Sequence, residues 1–236
     1  EKKIAEQRTA EKQLAEQNIK VLIGARSEEK GKEAAETLKA EGLDVEPILL
    51  DVDDAKTHSA AAKFVEENYG KLDILINNAG VNFENAANGD HTKTSETSTD
   101  VFRKTFETNF FNTVAVTQAF VPLLKKSDAG RIVFLSSGLG SLTLHSDPKS
   151  PIYNYKLPAY DISKTALNGF AVHLAHELKD TNIKVNAAHP GSVVTDMNPQ
   201  GDITVEEGAK TSVELATLAA DGYSGKFIHL GNELPW

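Results

Sequence analysis

The sequence contains no cysteine, which excludes disulfides, thiolate nucleophiles and thiolate metal sites together. It is poor in methionine and tryptophan, with one of each. No stretch approaches the roughly 20 consecutive apolar residues of a membrane span. Positive charge is also short: 25 Lys and Arg face 34 Asp and Glu, for a net charge of −9. That balance argues against a general binder of nucleic acid or of acidic membranes, although a local basic pocket for an anionic ligand survives it. No glycine precedes Gly24. His173 and His176 lie three apart on one predicted helix, but no third ligand is evident, so no metal site is expected. The absence of cysteine fits a reducing compartment, and with no signal peptide ahead of the first strand-like run a cytoplasmic protein is expected.

What is present is a chain of 236 residues, 40% hydrophobic, enough to fill a sizeable core. Residues 1–236 are expected to form one domain. Apolar runs of strand length alternate with helix-length stretches. Strands are predicted at 19–25, 44–52, 73–76, 132–135, 185–188 and 227–230. A helix is predicted after Ser27, with Glu28 and Glu29 in its first turn, and another from Asp53 or Asp54 to Tyr69, stopped by Gly70. A polar loop covers 84–98, followed by a long helix over 99–126 that Pro122 should bend near its end. Further helices are predicted at 159–178 and 204–219.

Strands that are nearly continuous apolar runs, separated by helices, call for a parallel sheet covered on both faces. The expected fold is therefore α/β, a doubly wound, Rossmann-like parallel sheet. Ligands of such sheets bind outside the carboxyl ends of the strands. Arg26 and Lys30 follow the first strand, Asp51 and Val52 the second. Asn77-Asn78-Ala79-Gly80 follows the third, Ser136-Ser137-Gly138 the fourth, and His189-Pro190-Gly191-Ser192-Val193-Val194-Thr195 the fifth. Tyr160 and Lys164, four apart, share one helical face and can converge on one ligand. Each signal alone has a bland reading as a turn, a cap or a chance pair. Their common placement on one edge of one sheet changes the odds.

Taken together, Asn77-Asn78-Ala79-Gly80, Asn109, Ser137, Tyr160-Asp161-Ile162-Ser163-Lys164 and Pro190-Gly191 resemble the short-chain dehydrogenase/reductase family, from about residue 14 to the end of the chain. The resemblance implies hydride transfer between a nicotinamide cofactor and a small carbonyl or alcohol substrate. It implies Tyr160 as proton donor and acceptor, and Lys164 as its electrostatic partner and ribose ligand. Ser137 would bond the substrate oxygen, and Asn109 would hold a relaying water. An ammonium one helical turn away should bring the phenol toward its working range. Asp51 and Val52 would flank the adenine, Asn78, Ala79 and Gly80 the ribose side. Pro190 and Gly191 belong to the same cofactor edge, and Val193 and Thr195 would meet the nicotinamide amide. Arg26, a cation where an acidic residue would bind ribose hydroxyls, points to NADP as cofactor. The stretch between Ser137 and Tyr160 is longer than in the family's shortest members, and Tyr153 and Tyr155 within it are expected in a pocket wall. A homo-oligomer through the long helices is also implied.

The amino end departs from the resemblance. The family opens with a strand and a glycine-rich loop, and counting back sets that loop at residues 1–7, which read Glu-Lys-Lys-Ile-Ala-Glu-Gln. Residues 1–17 are good helix formers with no β-branched run. The fold is thus expected to lack the usual first strand, which is central in the order 3-2-1-4-5-6, leaving two inner edges unpaired. Loss of about three loop hydrogen bonds at ~1.5 kcal/mol each would weaken cofactor binding roughly 10³-fold. The alternative expectation is accordingly a catalytically impaired member acting as a binding or scaffold protein. The chain opens on Glu1, and a trimmed or altered amino end is a further expectation.

Overall fold

A computed structural model describes residues 9–84 and 93–236. It opens with helix α1 (Thr9–Ala15), which runs through a left-handed Asn18 (φ 62°) toward strand β1 (Val21–Ala25). Ser27 caps α2 (Glu28–Ala40) by accepting from the Lys30 N–H, and strand β2 (Val45–Leu49) follows. Asp54 caps α3 (Ala55–Tyr69), and Gly70, left-handed at φ 73°, ends it. Strand β3 (Ile74–Asn77) leads through the polar connection, of which 85–92 lie outside the described residues, to α4 (Thr99–Phe106).

The predicted long helix is not continuous. A π turn (Glu107–Asn112) separates α4 from α5 (Thr113–Leu124), which carries Pro122 in its last turn. Strand β4 (Arg131–Leu135) precedes a short 3₁₀ turn (Gly138–Gly140) and helix α6 (Leu142–Ser146). Helix α7 (Pro158–Glu177) starts with proline at its first position, where the missing N–H leaves nothing unpaired. Strand β5 (Lys184–Ala188) is followed by α8 (Val205–Ala216), closed at its start by a Thr204–Glu207 capping box. The chain ends with β6 (Phe227–His229) and a strand the sequence did not suggest, β7 (Asn232–Glu233).

The sheet is divided. β1 and β2 form a parallel pair, and β3-β4-β5-β6-β7 form a second sheet that is parallel except for β7. No ladder joins β1 to β3 among the described residues. This is the interruption that the sequence led us to expect between those two strands. Side chains bridge what the backbone does not. One core layer holds Val65 of α3, Phe120 of α5, Leu167 of α7, Ile132 and Phe134 of β4 and Val185 of β5, with Leu22 of β1 packed against it. The other holds Leu14 of α1, Leu38 of α2, Val213 of α8, Val21 and Ile23 of β1 and Val133 of β4. Neighbours along β1 and β4 thus alternate between layers, as the pleat requires. Both layers draw on both sheets.

An open recess of about 280 Å³ lies at the foot of the division, lined by Ile19, Asp73, Ile74, Arg131 and Leu218 among others. The buried Arg131 guanidinium donates to the carbonyls of Leu218 (Nε, 2.9 Å), Gly130 (2.7 Å) and Asn182 (3.4 Å). Burial holds its pKa below the ordinary value. No helix among the described residues is long and apolar enough to cross a membrane.

Candidate active site

The site forms where the carboxyl ends of β3, β4 and β5 meet the first turns of α7. Lys164 is brought there by the register of α7, one turn beyond Tyr160. Its ammonium is buried, donates to the Leu135 carbonyl at 2.8 Å and lies 5.7 Å from the centre of the Tyr160 ring. Burial lowers its pKa to about 8. Gly80 closes on the same point: a Cβ there would sit 3.4 Å from Lys164 Nζ and 3.5 Å from Asn109 Oδ1.

Asn109 lies in the π turn, a geometry found mostly at functional sites. It is fully buried. Its Oδ1 accepts from the Val81 N–H at 2.7 Å, and its Nδ2 donates to the Val81 carbonyl and to Ser163 Oγ, both at 2.9 Å. The amide therefore ties the loop after β3 to α7, with one acceptor lone pair on Oδ1 left over.

Ser137 ends β4 and accepts from the Leu139 N–H at 3.2 Å. Tyr160 does not behave as the sequence led us to expect. Burial pushes the phenol up to about 12, with Ser137 pulling the other way and Asp161 adding to the rise. At neutral pH the phenol is protonated.

The remaining expected residues surround this centre. Arg26 is exposed at the end of β1, with no carboxylate partner among the described residues. Asp51 and Val52 are half-buried, and their carbonyls face His58 Nε2 at 3.1 and 3.0 Å. Asn78 and Ala79 are exposed after β3. Pro190 and Gly191 turn the chain after β5, and Gly191 is required there. Its φ is 96°, and a Cβ would lie 2.6 Å from Ile203 Cδ1. Val193 bridges to Ile203, and the Thr195 hydroxyl accepts from the Asn198 N–H at 3.1 Å. His189 Nδ1 accepts from the Gly138 N–H at 3.0 Å, joining the loops after β4 and β5. Burial and the adjacent His229 hold its pKa down at about 4, so it stays neutral. His173 and His176 are exposed on α7, away from this centre.

Sequence reasoning missed three groups beneath the start of α7: Glu84, Asp161 and His145. Glu84 Oε2 accepts from the Tyr160 N–H at 2.8 Å. Asp161 Oδ2 accepts from the Leu157 N–H at 2.9 Å and lies 3.3 Å from His145 Nε2. Asp161 stands inside the quoted tyrosine–lysine motif, yet nothing in its spacing marks it.

These donors suit a nicotinamide dinucleotide at two of its ends. Lys164 has donors to spare beyond Leu135, as a ribose diol requires, and Arg26 is a free cation for a phosphate. Residues 1–7, where a loop for the diphosphate was sought, lie outside the described residues.

The sequence profile of the short chain dehydrogenase family matches residues 8–203. The chain belongs to that family. It is an oxidoreductase by that membership. A short-chain dehydrogenase of Penicillium roqueforti is 38% identical, the match covering 89% of this chain and 82% of the relative. A (+)-neomenthol dehydrogenase of Arabidopsis thaliana is 35% identical over 88% of this chain and 86% of its own. Among solved structures, a short chain dehydrogenase of Escherichia coli CFT073 complexed with NADPH superposes with a TM-score of 0.79 at 27% identity, covering 97% of this chain and 92% of that one.

Proposed function

We propose that this oxidoreductase uses NADP and works in the direction of carbonyl reduction, with Tyr160 as the proton donor. The observation that carries the reading is the convergence of Ser137, Tyr160 and Lys164 on one point, with the phenol held protonated by its burial. A bound NADPH supplies the hydride. As negative charge grows on the substrate oxygen, Ser137 donates a hydrogen bond to it. Tyr160 then passes its proton to that oxygen, giving the alcohol and leaving a phenolate. Lys164 stabilises the phenolate by its charge and holds the ribose hydroxyls. Asn109, through its remaining lone pair, anchors a water that returns a proton from solvent. Arg26 holds the phosphate that distinguishes NADP from NAD. Asp51 and Val52 border the adenine, Asn78, Ala79 and Gly80 the adjoining ribose, and Pro190, Gly191, Val193 and Thr195 the nicotinamide.

The substrate is an apolar carbonyl compound. Phe83, Leu142, Tyr153, Tyr155, Val194 and Met197 are large hydrophobic side chains left exposed. All six follow the carboxyl ends of β3, β4 or β5, where they supply an apolar wall. The neomenthol dehydrogenase of Arabidopsis supports a cyclic alcohol–ketone pair as the first to try. The test follows nicotinamide absorbance with NADPH and a panel of cyclic and open-chain ketones. Turnover that is abolished in Y160F supports the reading. Tight NADPH binding without turnover on any ketone would refute it.

A further inference from the structure

Four ionisable side chains from four segments meet beneath the first turn of α7, outside the groups assigned above to substrate or cofactor. Glu84 comes from the loop after β3, His145 from α6, Lys156 from the segment before α7, and Asp161 from α7 itself. Glu84 uses Oε2 on the Tyr160 N–H, and its Oε1 is buried without a hydrogen-bond partner among the described residues. Asp161 uses Oδ2 on the Leu157 N–H, and its Oδ1 is likewise buried without a partner. Both residues are less than a tenth exposed.

The neighbouring bases do not neutralise this charge. Lys156 Nζ donates to His145 Nδ1 at 2.8 Å and to the His145 carbonyl at 3.1 Å. Nδ1 is therefore the acceptor, and the ring proton sits on Nε2, which donates to the Leu139 carbonyl at 2.9 Å. Burial keeps His145 below its ordinary pKa, so the ring near Asp161 is neutral. Lys156 acts on Asp161 through its charge, but its hydrogen bonds go to His145. A buried carboxylate with a stranded oxygen and no salt-bridged lysine or arginine among the described residues is costly when ionised. A proton on Asp161 removes its charge and supplies a donor.

We propose that Asp161 keeps its proton at neutral pH, and that this uncharged side chain, beside the Glu84 that accepts from the Tyr160 N–H, is the positioning element that sets the Tyr160 end of α7. The proposal rests on the role assigned to Tyr160 above. Glu84 fixes the main chain of the proton donor, and Asp161 fixes the N–H just before the helix. The groups facing the pair are His145 from α6, Tyr155 and Lys156 from the preceding segment, and Tyr160 on α7, with Lys164 one turn further. Burial, with the Glu84 charge behind it, lifts the Asp161 pKa to about 7 against the pull of the Leu157 N–H and of Lys156. When Asp161 ionises, its charge raises Tyr160 further and its repulsion with Glu84 loosens the start of the helix. Reduction therefore slows as pH rises through neutrality.

The test is carboxyl ¹³C NMR of protein labelled at Asp and Glu, without cofactor, from about pH 5 to 9. Wild type is compared with E84Q and D161N, each checked for native circular dichroism. One carboxyl signal should titrate near 7 in wild type and be missing from D161N. In E84Q, which keeps an acceptor for the Tyr160 N–H but loses the charge, that midpoint should fall by roughly one unit. A wild type whose carboxyls all titrate below about 5 overturns the proposal, as does a neutral midpoint that persists in D161N. If E84Q does not fold, D161N decides alone. The pH dependence of kcat should follow the same midpoint in wild type and be flat in D161N, with KM for NADPH unchanged. The NMR readout needs no turnover, so a neutral midpoint in a chain without activity would sink the reductase reading and leave the pair standing.

Discussion

Gly191→Ala tests the turn that carries the chain away from the end of β5. Two penalties add in this substitution. An L-residue held at φ 96° is strained by roughly 1–3 kcal/mol. The new methyl would also lie 2.6 Å from Ile203 Cδ1 and 3.2 Å from His229 Cε1, an overlap worth about 1–3 kcal/mol. The expected loss is thus about 2–6 kcal/mol, or a fall in Tm of roughly 5–20 °C for a chain of this size. The two penalties can be separated. Ile203→Val deletes Cδ1 and keeps the Cγ1 that would stand at 3.6 Å. In that background Gly191→Ala should lose only the backbone strain and the smaller His229 contact, leaving a coupling of about 1–3 kcal/mol. Urea unfolding of the four proteins, with m-values compared, measures it. Equal losses in both backgrounds would show that Ile203 does not press on this turn. No loss at all would show that the turn is not left-handed.

Tyr160→Phe should lower kcat for ketone reduction about 10²- to 10⁴-fold while leaving NADPH affinity unchanged, as judged by nicotinamide fluorescence and steady-state rates. Arg26→Asp should shift the ratio of NADPH to NADH dissociation constants by about 10- to 150-fold toward NADH, measured by titration with both cofactors. Asn109→Ala strands the Val81 N–H, the Val81 carbonyl and Ser163 Oγ, at roughly 1–3 kcal/mol for each buried group, and thermal unfolding should report the loss. Lys164 carries a pKa near 8 when folded and 10.5 as its ordinary value, so the folded chain binds fewer protons between those limits. Stability should therefore rise with pH across that window, and the rise should be missing from Lys164→Met when the two urea midpoints are compared.

Strand β4 was legible because it is an apolar run buried on both faces, and the helix ends because Ser27, Asp54 and Gly70 are chemically suited to cap or stop a helix. Tyr160 and Lys164 were legible because four residues are one helical turn. The π turn was not. Glu107–Asn112 contains no glycine or proline, and its residues read as ordinary helix. Strand β7 escaped because its two exposed residues carry no alternation. Glu84 could not be found by spacing: it lies 76 residues before the N–H it accepts from, in a polar loop. The raised Tyr160 pKa was missed for a similar reason. A sequence shows the lysine one turn away, but not the burial that raises the phenol.

The division of the sheet bears on how the molecule opens. Strands joined by a continuous ladder exchange their amide protons together, because freeing one edge exposes the next. Among the described residues no such ladder joins β1 to β3, and interlocked side chains pack the pair against the rest. The β1–α2–β2 unit should therefore behave as a separate foldon, releasing its amides by a sub-global opening that leaves β4 and β5 protected. Arg26 rides on that unit and Tyr160 on the other. A dinucleotide held at both places would clasp the two units, so its binding should slow exchange in β1 and β2 far more than in the five-stranded sheet.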